Sequence, residues 1–286
     1  MRFGLDLAQH QLTWPELVDR AQFADDVGFD GIWVFDHLRA LYGPPTGPVL
    51  DGWSLLAALA ALTTRVRLGT LVTGFTYHHP STFATRVVTV DHVSNGRLEL
   101  GMGASWFEDE HRQFGLDFPP AGTRVGRLRE FLDVLDLLLT TDGANYDGRH
   151  YTLEDATYRP RPVQQPRPPL WIGGARPRML ELVGRRADAW HGFGSVAELA
   201  ARSEAIDAHA RAVGRDPADI LRSTSLSISE PWDEVRQRLD ELVAVGVGYL
   251  VVSWPTEGRA RVEEFVHEVA PAYHGTSGTD DAATVS

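Results

Sequence analysis

Eight short apolar runs alternate with segments of helical periodicity along this chain, and that alternation leaves few architectures open. The runs that read as strands are residues 3–7, 31–35, 66–73, 98–102, 170–173, 187–193, 220–228 and 249–254. Between them, apolar residues recur at helical spacing. The first such segment carries Leu17, Val18, Ala21 and Ala24, and the fourth Leu128, Phe131, Leu132, Leu135, Leu138 and Leu139. The seventh carries Val235, Leu239, Leu242 and Val243; the second spans residues 55–62, and the third opens at Pro80, a residue suited to a first helical turn. Strict alternation implies right-handed βαβ units and a parallel sheet. Eight units in 286 residues fit a closed barrel better than an open, doubly wound sheet.

The expected fold is therefore α/β, a single (β/α)8 TIM barrel over residues 1–273, with an insertion between helix 4 and strand 5. The insertion runs from about Asp142 to Pro169. It contains Asp147-Gly148, a hairpin turn flanked by Tyr146 and Tyr151, and then a proline-rich stretch expected to be extended. Residues 274–286 are small and polar, and a disordered tail is expected there.

Absences narrow the chemistry. There is no Cys, which removes thiolate catalysis, disulfides and thiolate-bound metals. Every one of the 27 basic residues is Arg, so Schiff bases and a lysine general base are removed too. Groups that titrate near neutrality reduce to His and perturbed carboxylates. A net charge of −12 argues against nucleic acid as a partner. No apolar run approaches the roughly 20 residues that span a bilayer, and the first residues read as a strand, so a cytoplasmic protein without membrane contact is expected. No His-x-His pair or His-Glu-x-x-His pattern is present, and no metal site is expected.

In a parallel barrel the functional face lies at the C-terminal ends of the strands. The second strand ends in Asp36-His37, the third in Thr70-Leu71-Val72-Thr73, the fourth in Gly101-Met102-Gly103-Ala104-Ser105-Trp106, and the fifth in Gly173-Gly174-Ala175. Gly173-Gly174 before a helix suits a phosphate, because glycine lets backbone N–H groups approach and the helix N-terminus adds a favourable dipole. A tight strand-to-helix turn is the competing reading. Five Arg and no acid between Arg159 and Arg178 place positive charge around this loop, or else form a solvated rim. His37, with Asp36 before it, is positioned for acid–base work; the alternative is a His packed at the rim. His78-His79 reads as a helix-cap region. Gly101 and Gly103 leave room for a flat ring, and Trp106 and Trp190 stand where they could wall one, with Trp33 and Trp254 inside their strands.

Taken in order, these motifs resemble the luciferase-like monooxygenase superfamily, and within it the members that use the deazaflavin coenzyme F420. The resemblance runs from about Arg2 to Ala270. It includes Gly28-Phe29-Asp30 leading to Asp36-His37, Leu68-Gly69-Thr70, His79-Pro80 and Asn95-Gly96-Arg97-Leu98. It continues through Gly101-x-Gly103, Arg161-Pro162-Val163-Gln164 and Pro168-Pro169 before Ile172-Gly173-Gly174. The resemblance implies that His37 sits beside the reactive ring carbon with Asp36 next to it. It implies a non-proline cis peptide within Thr70-Leu71-Val72-Thr73, behind the ring, and a cofactor phosphate loop at Gly173, Gly174 and Ala175. Gly103, Ala104 and Trp106 belong to the same implied cofactor site, and the insertion resembles the family's variable segment that helps roof it.

In the deazaflavin-dependent sugar-phosphate dehydrogenases of this superfamily a glutamate acts just after the fourth strand. Here Trp106 stands at that place, with Glu108 and Glu110 further on, and the lysines those enzymes use for substrate phosphate are missing. A sugar phosphate is accordingly not expected. The leading expectation is an F420-dependent oxidoreductase acting on a small organic molecule, as a homodimer. An FMN-dependent monooxygenase and a catalytically silent flavin-binding protein are the alternatives.

Overall fold

The computed structural model describes residues 1–275; of the tail expected at 274–286, all but the first two residues lie outside the described residues. Eleven strands and nine α-helices follow one another along these residues. The strands are β1 (Arg2–Asp6), β2 (Gly31–Val34), β3 (Arg67–Thr70), β4 (Thr73–Gly74), β5 (Leu98–Gly103), β6 (Ala144–Asp147), β7 (Thr152–Ala156), β8 (Leu170–Gly173), β9 (Ala189–His191), β10 (Leu221–Leu226) and β11 (Tyr249–Val252). The helices are α1 (Trp14–Val27), α2 (Gly52–Leu62), α3 (Pro80–Val93), α4 (Glu108–Gln113), α5 (Ala121–Thr140), α6 (Pro177–Arg186), α7 (Val196–Arg211), α8 (Trp232–Ala244) and α9 (Arg259–Glu264).

Eight parallel strands close in the order β1-β2-β3-β5-β8-β9-β10-β11, with β11 paired back to β1 from Arg2↔Tyr249 to Leu5↔Val252. The fold is the expected (β/α)8 barrel with a small antiparallel insertion. Its helices pack apolar faces on the outside of the sheet: Leu17, Leu56, Phe83, Leu135 and Leu239 are all buried. Inside the barrel, Trp33, Trp171 and Tyr249 form an edge-to-face plug. Below it the indole of Trp171 donates to buried Glu99, which Arg67 also binds. With its interior filled this way, the barrel leaves its upper mouth as the place for a ligand. Among the described residues no helix is long and apolar enough to cross a membrane.

Four expectations need correction. The third strand is not continuous over residues 66–73: it breaks into β3 and β4 at a cis Leu71–Val72 bond, inside the stretch where the resemblance placed one. The room beside Gly101, and part of that beside Gly103, is filled by this break. A Cβ at Gly101 would lie 1.8 Å from the Thr70 carbonyl oxygen, and one at Gly103 would lie 2.5 Å from a Val72 methyl. The strict alternation of eight helices with eight strands also misses α4, a short helix between β5 and α5.

The fourth correction concerns the insertion. Its hairpin forms as expected, β6 pairing antiparallel with β7 across the turn at Gly148. Tyr151 packs against Phe131 and His79, but no residue from 142 to 169 lines the barrel mouth. The arginines that follow lie across the N-terminal ends of the strands. Arg159 and Arg161 both bind Asp142, Arg161 also donates to the Leu138 carbonyl, and Arg167 bridges Asp136 and Asp188. Each finds a carboxylate displaced from it in sequence, so their positive charge is spent in the scaffold.

Candidate active site

The strand ends enclose a cavity of about 1080 Å³ at the C-terminal face of the barrel. Asp36, His37, Leu71, Val72, Gly103, Ala104, Trp106, Gly173, Gly174 and Ala175 all line it. Thr70 and Thr73 do not. They sit fully buried behind the cis bond, their hydroxyls 2.6 Å apart, and the Trp53 indole donates to Thr73 at 3.1 Å. These two hydroxyls hold the Leu71–Val72 bulge from behind.

His37 is presented by the turn after β2, and the carboxylate that holds it is not its neighbour. Its Nδ1 lies 2.8 Å from Oε2 of Glu110, a residue of α4 whose side chain is wholly buried. The other Glu110 oxygen accepts the backbone N–H groups of Leu38 at 2.7 Å and Arg39 at 3.1 Å, and the Tyr77 hydroxyl also donates to this carboxylate. Burial alone would raise the Glu110 pKa. The bonds from His37 and Tyr77, with the other donors, outweigh it and hold the carboxyl below its usual value. Burial and the Glu110 charge push the Tyr77 hydroxyl upward, so it stays a donor. A carboxylate that only accepts forces the proton of neutral His37 onto Nδ1. Nε2 is then a lone-pair acceptor on a ring that lines the cavity.

Asp36 is turned the other way. It accepts from His78 Nε2 at 2.8 Å and from the Gly74 N–H at 3.1 Å, and Arg86 lies 2.7 Å from His78 Nδ1. Successive residues leaving a strand point to opposite sides, which separates Asp36 from the ring beside it in sequence. His78 is thus a partner of Asp36 rather than part of a cap, whereas His79 does cap α3, accepting from the Ser81 N–H. Of the two glutamates that follow Trp106 in the sequence, Glu110 is the one that reaches His37. Trp106 instead stacks on Phe107 at 5.0 Å, with its ring 6.0 Å from His37 and 67% of its surface exposed. Of the other tryptophans, Trp190 is buried with its indole donating to the Gly174 carbonyl, and Trp254 packs under Arg20.

The opposite end of the cavity is built for an anion. Gly174 has φ +148°, a conformation L side chains rarely adopt, and opens the loop into α6. Arg176 and Arg178 flank the start of that helix and line the cavity, and Arg178 approaches Gly122 at the start of α5. Neither makes an ion pair or a side-chain hydrogen bond within the described residues, unlike the arginines of the insertion. Two helix N-termini and two uncommitted guanidinium groups converge here, which is a fit for a phosphate. His191, at the end of β9, completes the floor: it is 1% exposed, 2.8 Å from the Ser223 hydroxyl, and burial takes its pKa down to about 3.

Comparison with known proteins identifies relatives of this chain. Over 192 residues the chain is 33% identical to an F420-dependent glucose-6-phosphate dehydrogenase of Microbacterium testaceum (strain StLB037), covering 66% of this chain and 56% of that protein. It is 34% identical over 258 residues to the 4-hydroxyprotoasukamycin monooxygenase of Streptomyces nodosus subsp. asukaensis, covering 86% of this chain and 66% of the relative. The chain thus spans about three fifths of the length of these two relatives. A solved F420-dependent secondary alcohol dehydrogenase, in complex with an F420-acetone adduct, superposes with a TM-score of 0.83 at 18% identity, over 95% of this chain and 98% of that one. Residues 1–274 match the family model of the luciferase-like monooxygenases, and the chain belongs to that family of oxidoreductases.

Proposed function

We propose that this protein is an F420-dependent oxidoreductase in which His37 moves the proton that accompanies hydride transfer. The observation that carries this reading is the division of one cavity into two ends: an acid–base histidine held by Glu110, and a glycine loop with Arg176 and Arg178. The cavity's volume, the paired helix N-termini and the uncommitted guanidinium groups fit a cofactor with a flat ring and an anionic tail. Gly173, Gly174, Ala175, Arg176 and Arg178 would hold its phosphate, and the Leu71–Val72 bulge would back its ring. The deazaflavin, when bound, supplies the hydride chemistry.

The protein's own part is positional and electrostatic. Glu110 fixes the ring of His37 and its tautomer, so that Nε2 can take a proton from a donor in the cavity and later return it. Tyr77 and the Leu38 and Arg39 amides keep Glu110 ionised, which stabilises the imidazolium formed in that step.

The monooxygenase among the relatives supports a second reading, an FMN-dependent oxygenase, because the same loop suits either phosphate. Fluorescence titration of the purified protein with F420 and with FMN separates the two. Tight binding of F420 is the expected result. Binding of FMN alone, with oxygen uptake on reduction, overturns the proposal in favour of the second reading.

A further inference from the structure

Near His37, a second chain of ordered protons ends in the cavity. Ser105, just beyond β5, lines the cavity, and its Oγ lies 2.6 Å from Thr76 Oγ1. The Thr76 hydroxyl lies 2.6 Å from Nε2 of fully buried His111. Nδ1 of His111 lies 2.8 Å from the Phe107 carbonyl oxygen, which can only accept. The proton of the neutral ring is therefore on Nδ1, and Nε2 accepts from Thr76. Thr76 has then spent its proton and accepts that of Ser105. The hydroxyl proton of Ser105 is committed inward, and Oγ offers only lone pairs to the cavity.

The same logic gives His37 Nε2 a lone pair, so the two fixed polar atoms at this end are both acceptors. Ser105 also lies beside Gly74 and the ring of Tyr77, which donates to the carboxylate behind His37, so the two acceptors share one neighbourhood. The walls around them are Leu41 and the rings of Tyr42 and Trp106, the two rings 69% and 67% exposed with their polar tips not fixed by any side-chain bond among the described residues, so the polar atoms held in place are the two acceptors. Among the described residues at this end, each arginine is held by other partners. Arg39 lies over the Phe107 ring and binds Gln113, and Arg124 is held by the carbonyls of Ala104 and Pro119 and by the face of Phe118.

We propose that this end takes an uncharged, largely apolar molecule bearing two hydroxyl donors, one for His37 Nε2 and one for Ser105 Oγ, and not a phosphate ester, a carboxylate or a simple ketone. The proposal deepens the oxidoreductase reading and rests on it for calling this molecule the substrate.

The test measures binding by calorimetry and saturation-transfer NMR, with and without added F420, using four probes: cyclohexanediol, cyclohexanol, cyclohexanone and glucose 6-phosphate. The diol is expected to bind about fivefold more tightly than the mono-alcohol, the value of one neutral hydrogen bond. The ketone should bind more weakly still, and the sugar phosphate should not displace the diol. Ser105→Ala should erase the diol's advantage while leaving cyclohexanol unchanged. Thr76→Val releases the Ser105 proton toward the cavity, so it should raise affinity for the ketone severalfold, a gain that a structural role for Thr76 would not give. Equal binding of ketone and diol, displacement by glucose 6-phosphate, or unchanged selectivity in Ser105→Ala overturns the proposal. An F420 titration of the same preparation keeps the two readings apart. Diol selectivity without F420 binding sinks the cofactor assignment alone, and F420 binding without selectivity sinks this one alone.

Discussion

Nδ1 of His37 lies 2.8 Å from Oε2 of Glu110, 73 residues away, and this contact sets which nitrogen of the ring faces the cavity. Glu110→Gln tests it. The amide oxygen can still accept from Leu38 and Arg39, but the NH2 group then faces His37 and favours the proton on Nε2. A base becomes a donor. Turnover should fall by about 10²–10⁴-fold with F420 affinity nearly unchanged, the size of effect seen when a catalytic imidazole is held in the wrong tautomer. Nitrogen-15 shifts of the His37 ring should report the switch directly. An unaltered tautomer together with full activity would remove Glu110 from the mechanism.

His37→Ala makes the complementary prediction. The protein should stay folded and bind F420 as the native chain does, since the anion end is untouched. Single-turnover cofactor reduction should slow by about 10²–10⁴-fold. His37→Asn should be nearly as slow, because it keeps a hydrogen-bonding edge but cannot titrate. A packing role predicts the opposite pair of results: a lower melting temperature and a modest change in rate.

The barrel was legible because each strand and helix announces itself locally, by apolar runs and by spacing such as Leu128, Phe131, Leu132 and Leu135. The strand-end positions were legible for the same reason: alternation places His37, Trp106 and Gly174 on the functional face whatever their partners are. Partnership was the part that sequence withheld. Asp36 precedes His37, and adjacency suggested a pair, yet the pleat sends the two side chains apart and each finds a partner from another segment, His78 and Glu110. The arginines from Arg159 to Arg167 looked like a continuation of Arg176 and Arg178. The chain between them crosses the whole barrel along β8, so one group faces the N-terminal ends and the other the mouth. The tripled hydroxyl–imidazole chain of Ser105, Thr76 and His111 joins three segments and has no spacing signature at all.

The two arginine groups make a prediction by contrast. Arg176→Ala with Arg178→Ala should weaken F420 about tenfold or more and flatten the salt dependence of its affinity. Replacing Arg159, Arg161 and Arg167 together should leave F420 affinity alone and lower stability, because it strips partners from Asp142, Asp136 and Asp188. A substitution at Gly174 would be a poorer probe: φ there is +148° and a Cβ would press on Met179 at 2.9 Å, so strain and charge would be confounded. Equal loss of F420 binding in both arginine variants would return the insertion to the cofactor site.

The buried floor of the cavity predicts how the protein fails in acid. His191 is fully enclosed and burial lowers its pKa to about 3, against 6.5 for the free group. His10, buried between Phe35 and Tyr42, is lowered to about 4, by burial first and by the charge of His37 second. At these two sites the unfolded chain binds protons below pH 6.5 that the folded chain refuses, so their contribution to stability falls as pH falls, whereas buried Asp6, its carboxyl pushed up to about 6, works in the opposite direction below that pH. For His191 the loss proceeds at up to about 1.4 kcal/mol per pH unit between roughly pH 6 and pH 3.5 and totals about 5 kcal/mol when complete. Glu110 adds to it only lower down: its carboxyl is held below its usual value, so its contribution is lost as pH falls from the ordinary carboxylate range toward the lower folded value. Denaturant titrations from pH 7 to pH 4 sum these opposed contributions, so His191 is isolated by comparing the native chain with a variant. His191→Asn, which can keep the bond to Ser223, should lower the slope by about 1.4 kcal/mol per unit between pH 5.5 and 4 even if it is less stable at pH 7. The comparison is of slopes, so a general loss of stability does not obscure it. Parallel slopes for the two proteins would mean that His191 takes up its proton in the folded state, which would put a charge on the cavity floor.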